Sequence, residues 1–408
     1  MKIGIFFEGK GKHSMGGGFY LQIKPAMILN KINKKNLKIE FLISDKESEL
    51  FLKEKGYKTN FFKYNLFSKY FSKLYTINYI NDLFQKLNIS HPFAKFLKKE
   101  SYNLVIFIGP SSLAKYCGKT SFVFNIWDLD HKKNSQFPEH NYDYAYEKRE
   151  KLISDVIYRA FKIVVPHAQN KQDLVKIYSC PEKNINVQTL IPMPPTIYKE
   201  GISKGLDYNK IFNNLNLPKD KKLIFYPAAY WAHKNHKYII DTANILIKKN
   251  INKFVFIFCG TDKGNYSYVK KLVDSEQLHE VIKILPLVSD DELISIYKNI
   301  DAVVMPTYGG PTNFPIYEAF FFKKLIFYTK DLLHDEEILK NLIEIDTSNP
   351  DDFLNKLEIL SDDQKLKDIV ESAYSYYNKV CDEENLKNNY IKIIEEFEYL
   401  TQRWKKIS

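Results

Sequence analysis

The sequence is poor in cysteine, glycine and arginine, and it has no long apolar run. None of its four cysteines, Cys117, Cys180, Cys259 and Cys381, forms a Cys-x-x-Cys pair or stands at metal-ligand spacing from a histidine. A disulfide scaffold and a zinc module are therefore not expected, and free thiols favour a reducing, cytoplasmic compartment. No apolar run approaches the roughly 18 residues of a membrane span. The first apolar run breaks at Glu8, which is typical of a strand and not of a signal peptide.

Lysine, tyrosine and phenylalanine are abundant. Aromatic residues make up 15% of the chain, and the formal net charge is +11. Such a charge suits phosphorylated substrates, an anionic membrane surface or nucleic acid, but it also fits a solvated lysine-rich surface. The lysines are dispersed, and no RNP, helix-turn-helix or zinc motif accompanies them, so a nucleic-acid partner is not predicted. Peripheral contact with the anionic inner face of the cytoplasmic membrane remains an expectation.

Short apolar runs alternate with amphipathic stretches in both halves, which predicts βαβ units and parallel sheets. The expected fold is therefore α/β, with two doubly wound Rossmann-like domains facing a central cleft. A proline cluster within residues 191–222 indicates a linker. The predicted strands are Ile3–Phe7, Ile39–Ile43, Leu104–Ile108, Phe122–Asn125, Ile163–Val165, Leu223–Pro227, Phe254–Cys259, Ile282–Leu285, Ala302–Met305 and Leu325–Tyr328. The predicted divisions are an N-terminal acceptor domain, 1–198, a C-terminal donor domain, 199–382, and a final helix, 383–408, that packs back on the first domain.

Two segments of the first half have no single interpretation. The aromatic, lysine-rich stretch Leu66–Glu100 is predicted to be helical, either as a substrate-facing insertion or as surface helices. The loop Gly9–Gly18, GKGKHSMGGG, lies between a strand and a helix, where backbone N–H groups can approach a phosphate. It matches neither a Walker motif, because Gly11 replaces the required Ser or Thr, nor a Rossmann fingerprint. A flexible turn therefore explains it equally well.

Three polar clusters follow predicted strands, where doubly wound domains bind their ligands. Trp127–His140, WDLDHKKNSQFPEH, combines acidic residues with histidines but has no HxxxH or HExxH metal arrangement. Tyr226–Lys237, YPAAYWAHKNHK, places Lys234 near a helix N-terminus, where a cation and backbone donors can clamp an anion. Met305–Ala319, MPTYGGPTNFPIYEA, has a glycine-containing turn suited to a diphosphate, with Glu318 about one helical turn beyond it. Taken singly, each also has a structural interpretation: a satisfied loop for the first cluster, a lysine on a solvated helix for the second and a surface helix glutamate for the third.

Together the clusters resemble the family 4 retaining glycosyltransferases of the GT-B fold, over almost the whole chain. The subgroup with WDLxH, HKNH and GPTN motifs is the most similar, and it includes mannosyltransferase-like enzymes of O-antigen and capsule synthesis. The resemblance implies that Lys234 binds the donor diphosphate and that Glu318, the second Glu of a Glu-x7-Glu motif, binds the ribose. It implies catalytic roles for Asp128 and His131 beside Lys234. The other donor-binding residues that it implies are Gly16, Gly17, Gly18, Gly260, Thr261, Leu287, Val288, Gly310, Pro311, Thr312 and Asn313.

The sequence departs from that family pattern at three places. The first Glu of the motif would fall at Gly310 and is absent, and the usual Arg five residues before Lys234 is Ala229. The usual Gly-x-Pro after the Glu helix is replaced by Lys323–Lys324–Leu325, which alters packing. Contacts to the hydroxyls of the donor sugar are therefore not specified by the motif.

The implied function is hexose transfer from a GDP- or UDP-sugar to a glycan or lipid-linked glycan acceptor, with retention of anomeric configuration, in surface polysaccharide synthesis. No metal and no cofactor are expected besides the nucleotide-sugar co-substrate, because Lys234, backbone donors and a helix dipole can stabilise the leaving phosphate. Two alternatives stay open: a GT-B sugar-nucleotide epimerase, and a catalytically inactive nucleotide-sugar- or glycan-binding protein. The second follows from the substitutions at Gly310 and Ala229.

Overall fold

The computed structural model describes residues 1–8, 17–75, 77–192, 198, 206–310 and 313–404. These residues form two compact units. Unit 1 comprises residues 1–129, 147–190 and 382–408, and unit 2 comprises residues 130–146 and 191–381. The chain therefore passes between the units four times, at residues 129, 146, 190 and 381.

Parallel strands and the helices that connect them make up both units. The strands are β1 (Lys2–Phe7), β2 (Lys38–Ile43), β3 (Thr59–Phe61), β4 (Leu104–Phe107), β5 (Ser121–Asn125), β6 (Lys162–Val165), β7 (Ile185–Val187), β8 (Lys222–Pro227), β9 (Phe254–Cys259), β10 (Ile282–Leu285), β11 (Ala302–Met305), β12 (Leu325–Thr329) and β13 (Ile343–Ile345). The helices are α1 (Gly17–Asn30), α2 (Lys46–Glu54), α3 (Leu66–Tyr75), α4 (Asn78–Lys86), α5 (Pro92–Lys99), α6 (Asp130–Lys133), α7 (Pro138–Asn141), α8 (Ala145–Val156), α9 (Ala168–Tyr178), α10 (Tyr208–Asn213), α11 (His236–Lys248), α12 (Tyr266–Ser275), α13 (Asp290–Asn299), α14 (Phe314–Phe321), α15 (Glu336–Leu339), α16 (Pro350–Lys356), α17 (Asp363–Val380) and α18 (Glu383–Trp404).

Each unit contains one parallel sheet. The seven-stranded sheet of unit 1 has the order β3-β2-β1-β4-β5-β6-β7, and the six-stranded sheet of unit 2 has the order β10-β9-β8-β11-β12-β13. The central strands are apolar on both faces, since Phe254–Cys259 and Ala302–Met305 are buried throughout, as expected for sheets covered by helices on both sides. The prediction of two doubly wound α/β domains is confirmed.

Every strand predicted from the sequence is present, with ends shifted by at most one residue. Three strands were missed: β3, β7 and β13, each of three residues and each at a sheet edge. The predicted linker contains helix α10, which Asp207 caps by accepting hydrogen bonds from the Asn209 and Lys210 N–H groups. None of the helices in the described part of the chain is long and apolar enough to span a bilayer.

The last helix, α18, belongs to unit 1. Its apolar stripe is buried, and the Tyr390 hydroxyl donates to Asn125 Oδ1 at 3.0 Å, at the carboxyl end of β5. The Asn125 amide in turn donates to the Phe107 carbonyl at the end of β4, at 2.8 Å. Lys24 of α1 pairs with Glu383 at 2.6 Å. The residues that fill the stripe are Leu386, Tyr390, Ile393, Ile394 and Phe397.

Candidate functional site

The strand order of unit 2 reverses between β8 and β11, which are neighbours in its sheet. The connections from these strands to α11 and α14 leave on opposite sides of the sheet, and ligands of doubly wound domains bind at such a switch point. The Lys234 cluster follows β8, and the Gly310–Asn313 turn follows β11. The topology therefore brings two of the predicted clusters to the same crevice.

Lys234 ends a 3-10 turn, Ala232–Lys234, just before α11. Asn235 follows in the left-handed conformation, with φ 54°, a conformation that asparagine tolerates better than most residues. The Tyr226 hydroxyl donates to the Lys234 carbonyl and fixes the turn on β8. The Lys234 ammonium donates to Asn313 Oδ1 at 2.9 Å, so it points to the turn after β11.

The turn after β11 is held by Asn313. Its amide donates to the Gly310 carbonyl and, at 2.7 Å, to the buried Tyr328 hydroxyl on β12. Gly310 has φ 78°, a conformation that favours glycine. A Cβ there would lie 3.8 Å from the Lys234 ammonium, so this cation lies directly beside the turn. A cation beside backbone N–H groups at a helix N-terminus is an arrangement that stabilises phosphate charge. The predicted Pro311 and Thr312 lie outside the described residues.

A buried carboxylate also contacts this turn. Asp130, at the start of α6, accepts a hydrogen bond from the Gly310 N–H at 3.2 Å and from the Asn134 amide at 2.7 Å, and lies 3.3 Å from His140 Nε2. Burial alone would raise the pKa of Asp130, but these hydrogen bonds and the nearby His233 ring outweigh it and hold that pKa at about 2. Gly309 leaves room for the carboxylate, since a Cβ there would be 2.3 Å from Asp130 Oδ2. Asp130 is thus an ionised group on an N–H of the candidate anion site.

Besides the contact between Asp130 and Gly310, Glu139 contacts His233. The His233 N–H donates to Glu139 Oε1 at 3.0 Å, and its Nδ1 contacts the same oxygen. Burial and the charge of Lys234 lower the pKa of His233. Burial alone would raise the pKa of Glu139, but the hydrogen bonds from His233 outweigh it and lower that pKa. His233 is therefore neutral at pH 7 and Glu139 is ionised, so the imidazole proton lies on Nδ1. This pair fixes the backbone that carries Lys234.

Glu318 is buried on α14, with 6% of its surface exposed. The hydroxyl of Tyr297, on α13, donates to its Oε2. Burial raises the pKa of Glu318 to about 7, with Asp290 adding to the effect and Tyr297 opposing it. Near pH 7 both forms of this carboxyl group are therefore present. The ionised form accepts hydrogen bonds from hydroxyl groups, and the protonated form can also donate one to them.

The predicted residues after β9 and β10 lie at the same edge of the sheet. Gly260 has no room for a side chain, since a Cβ would be 2.1 Å from the Ala228 carbonyl oxygen. The Thr261 carbonyl accepts from the Tyr230 N–H at 2.9 Å. Leu287 is 61% exposed, whereas Val288 packs against the core of unit 2.

The predicted catalytic residues have different surroundings. Asp128, at the end of a unit 1 segment, accepts from Arg149 Nη2 at 2.6 Å. His131 lies on α6 in unit 2, is 1% exposed and packs edge-on to Tyr146 with ring centroids 5.5 Å apart. Of the glycine loop, Gly17 and Gly18 begin α1, whereas Gly16 lies outside the described residues.

Sequence reasoning singled out the Trp127–His140 cluster but chose Asp128 and His131 from it. The residues that hydrogen-bond to the Gly310 and Lys234 turns are Asp130 and Glu139, and His140 contacts Asp130 and stacks on His233. The sequence held two signals for these residues. Asp130 and Asn134 are spaced i, i+4, and Pro138 is typical of a helix start just before Glu139 and His140. Within the described residues, no group of three or more His, Cys, Asp or Glu side chains could hold a metal ion.

Comparison with known proteins agrees with this architecture. Residues 207–376 match the family model "Glycosyl transferases group 1", whereas no curated protein matches the chain. A glycosyltransferase from Rickettsia africae is 16% identical, with 97% of this chain and 98% of that one covered and a TM-score of 0.68. HepE from Anabaena, in complex with UDP-glucose, is 13% identical, with coverage of 98% and 100% and a TM-score of 0.64.

A mutant of TarM from S. aureus, solved with fondaparinux, alpha-GlcNAc-glycerol and UDP, is 12% identical, with coverage of 96% and 99% and a TM-score of 0.65. At these identities the structural likeness establishes the fold alone. The chain therefore has the GT-B fold, and its residues 207–376 match the glycosyltransferase group 1 model.

Proposed function

We propose that this protein is a retaining hexosyltransferase that moves a sugar from a nucleotide-sugar donor to a glycan or lipid-linked glycan acceptor, in surface polysaccharide synthesis. The observation that carries the proposal is the position of the Lys234 ammonium, 2.9 Å from Asn313 Oδ1 and beside the Gly310 turn, at the switch point of a group 1 domain. In the proposal, a diphosphate oxygen accepts from this ammonium as Asn313 Oδ1 does here.

In this mechanism the bond between C1 of the sugar and the diphosphate oxygen breaks, and negative charge grows on the leaving phosphate. Lys234 and the N–H groups at the start of α14 stabilise that charge, which is the largest expected catalytic contribution. The acceptor hydroxyl attacks C1 from the face that the phosphate leaves, its oxygen forms the new bond, and its proton passes to the departing phosphate. The proposal needs no metal ion and no further cofactor.

The buried Glu318 carboxyl group is proposed to bind the ribose hydroxyls, and the segments around Gly260, Thr261, Leu287 and Val288 the nucleoside. Asp128 and His131 remain the proposed residues at the transferred sugar and acceptor, and Gly16, Gly17 and Gly18 at the donor phosphate. The complexes of HepE with UDP-glucose and of TarM with UDP favour a UDP-sugar as donor over a GDP-sugar.

The test compares Lys234→Ala with the matched control Lys237→Ala, whose lysine is exposed and pairs with Asp241 at 2.6 Å. UDP, GDP and dTDP, with their sugars, are screened by thermal shift, and the best donor is assayed for transfer and for the anomeric configuration of the product. Loss of a charge-assisted contact worth about 1.5–3 kcal/mol should weaken nucleotide binding about 10- to 100-fold in Lys234→Ala alone.

Three outcomes would contradict the proposal. Equal nucleotide binding in both variants would show that Lys234 does not bind the donor. An epimerised nucleotide sugar formed without acceptor indicates the epimerase alternative. Nucleotide-sugar binding without transfer to any acceptor indicates the inactive binding protein that the glycine at position 310 first suggested.

A further inference from the structure

Helix α3 presents its polar side chains to the interior of unit 1. Ser68 and Ser72 are 3% and 7% exposed. The Ser72 hydroxyl donates to the Ser68 carbonyl at 2.8 Å and lies 2.9 Å from His91 Nε2, and Tyr116 donates to the Ser72 carbonyl at 3.1 Å. A surface helix of a globular domain normally turns its apolar stripe inward. Here hydrogen bonds attach the helix, and Leu66, Phe67 and Tyr70 are left exposed on the outer face.

That outer face continues from α3 onto α4. On α4 the exposed residues Tyr79 and Leu83, followed by Leu87, are four residues apart and lie on one side of the helix. We call the exposed apolar residues of 66–87 the hairpin face; they provide a third of the exposed large hydrophobic residues in the described part of the chain. The hairpin face consists of Leu66, Phe67, Tyr70, Ile77, Tyr79, Leu83 and Leu87.

The hairpin is a preformed element because aromatic rings join its two helices. Phe71 stacks on Phe84 with centroids 5.1 Å apart, and Tyr75 lies 5.3 Å from the same ring. The Tyr75 hydroxyl donates to the Ile89 carbonyl, which anchors the hairpin to the chain that follows. The inner aromatic residues therefore hold the helices together without using the hairpin face.

The charge around the hairpin face is mostly positive. Residues 63–99 contain seven lysines and a single acidic residue, Asp82. Lys69 and Lys86 are exposed on the two helices that carry the hairpin face. Apolar and aromatic side chains set among lysines are typical of helices that lie in the interface of an anionic bilayer. A second copy of this chain would bring the same positive charge against itself, which is unfavourable.

We propose that the hairpin face docks the protein onto an anionic lipid surface, with the apolar residues inserted among the lipids and the lysines on the headgroups. This contact does not depend on the proposed transferase activity, and its test requires no sugar donor or acceptor. The proposal assigns membrane contact to the hairpin face and not to the positive charge spread along the chain.

The experiment measures binding of the full chain to phosphatidylcholine vesicles with and without phosphatidylglycerol, by cosedimentation. The test variant is Leu66→Ser, Tyr79→Ser, Lys69→Gln, Lys86→Gln. The matched control, in unit 2, is Ile247→Ser, Tyr268→Ser, Lys270→Gln, Lys271→Gln, which changes the same number of exposed aliphatic, tyrosine and lysine residues. We expect binding only to the anionic vesicles, weakened about ten-fold or more in the test variant, weakened by salt, and unchanged in the control.

Thermal melting checks that each variant is folded; if the test variant melts early, the charge-only pair Lys69→Gln, Lys86→Gln replaces it. Binding that is equal in test and control variants would overturn the proposal, because general charge attraction would then explain it. Absence of wild-type binding would also overturn it. So would a dimer, seen by light scattering, that the test variant dissociates, because the occupant would then be a second copy.

Discussion

At the scale of single residues, Glu318 and Lys234 show what a motif specifies and what it leaves open. The HKN and GPTN sequences were sufficient to predict that Lys234 and Asn313 lie near each other, because each follows a central strand of one sheet. The hydrogen bond from the Tyr297 hydroxyl to the Glu318 carboxylate was not predictable, since Tyr297 lies on a different helix, 21 residues away. Burial and this contact, which determine the ionisation of Glu318, depend on packing that no local pattern encodes.

The ionisation of Glu318 gives a pH-dependent stability. Its pKa is about 7 in the folded protein against an ordinary 4.5, so the folded state binds more protons between these values. Burial favours the neutral form of Glu318, so this group stabilises the folded protein most at low pH. The contribution of Glu318 to the free energy of unfolding is lost as pH rises from 4.5 through 7. Relative to Glu318→Gln, the wild type should lose up to about 3 kcal/mol over this window, at about 1.4 kcal/mol per pKa unit.

Thermal melting without nucleotide, at several pH values from 5 to 8, measures this difference. The matched control is Glu358→Gln, at an exposed position of unit 2. A constant difference between wild type and Glu318→Gln across this range would contradict the assignment of a raised pKa.

At the scale of elements, the segment that carries α6 and α7 shows the limit of sequence reasoning. Its chemistry was recognisable, but its contact with the turn after β11 joins residues 180 positions apart, Asp130 and Gly310. The three missed strands, β3, β7 and β13, have a similar cause. A three-residue strand is too short to show a period, and only its neighbour in the sheet makes it a strand.

Asp130 accepts a hydrogen bond from the Gly310 N–H in the proposed diphosphate site, and its negative charge would oppose an anion there. We expect Asp130→Ala to lower the melting temperature, because it leaves the half-buried Asn134 amide and the buried His140 ring without their acceptor. We also expect it to tighten UDP binding several-fold, measured by calorimetry. Asn134→Ala, which keeps the charge, should lower stability without tightening binding. Weaker UDP binding in Asp130→Ala would mean that the carboxylate helps to hold the donor.

At the scale of the whole molecule, the alternation of strands and helices predicted two parallel sheets, but it gave no sign that residues 130–146 leave unit 1 and return. No change of composition marks residues 129 or 146. The pattern reports which residues are apolar, whereas membership of a unit depends on which surfaces meet.

The attachment of α18 to unit 1 gives a prediction at this scale. Tyr390→Ala removes a buried ring and its hydrogen bond to Asn125, which should cost about 3–5 kcal/mol. Tyr399→Ala, on the same helix but 55% exposed, is the matched control and should be nearly neutral. Hydrogen exchange of the β4 and β5 amides should accelerate in Tyr390→Ala, while the thermal shift produced by UDP on unit 2 persists. Unchanged exchange would show that α18 does not support the sheet.

This path of the chain has a consequence for biosynthesis. Strand β1 is translated long before α18, the helix that covers part of the same unit. Unit 1 must therefore wait, with part of its apolar surface uncovered, until residue 397 has emerged, whereas every strand of unit 2 is already complete. During that interval the uncovered apolar surface makes the growing chain prone to aggregation and a target for chaperones.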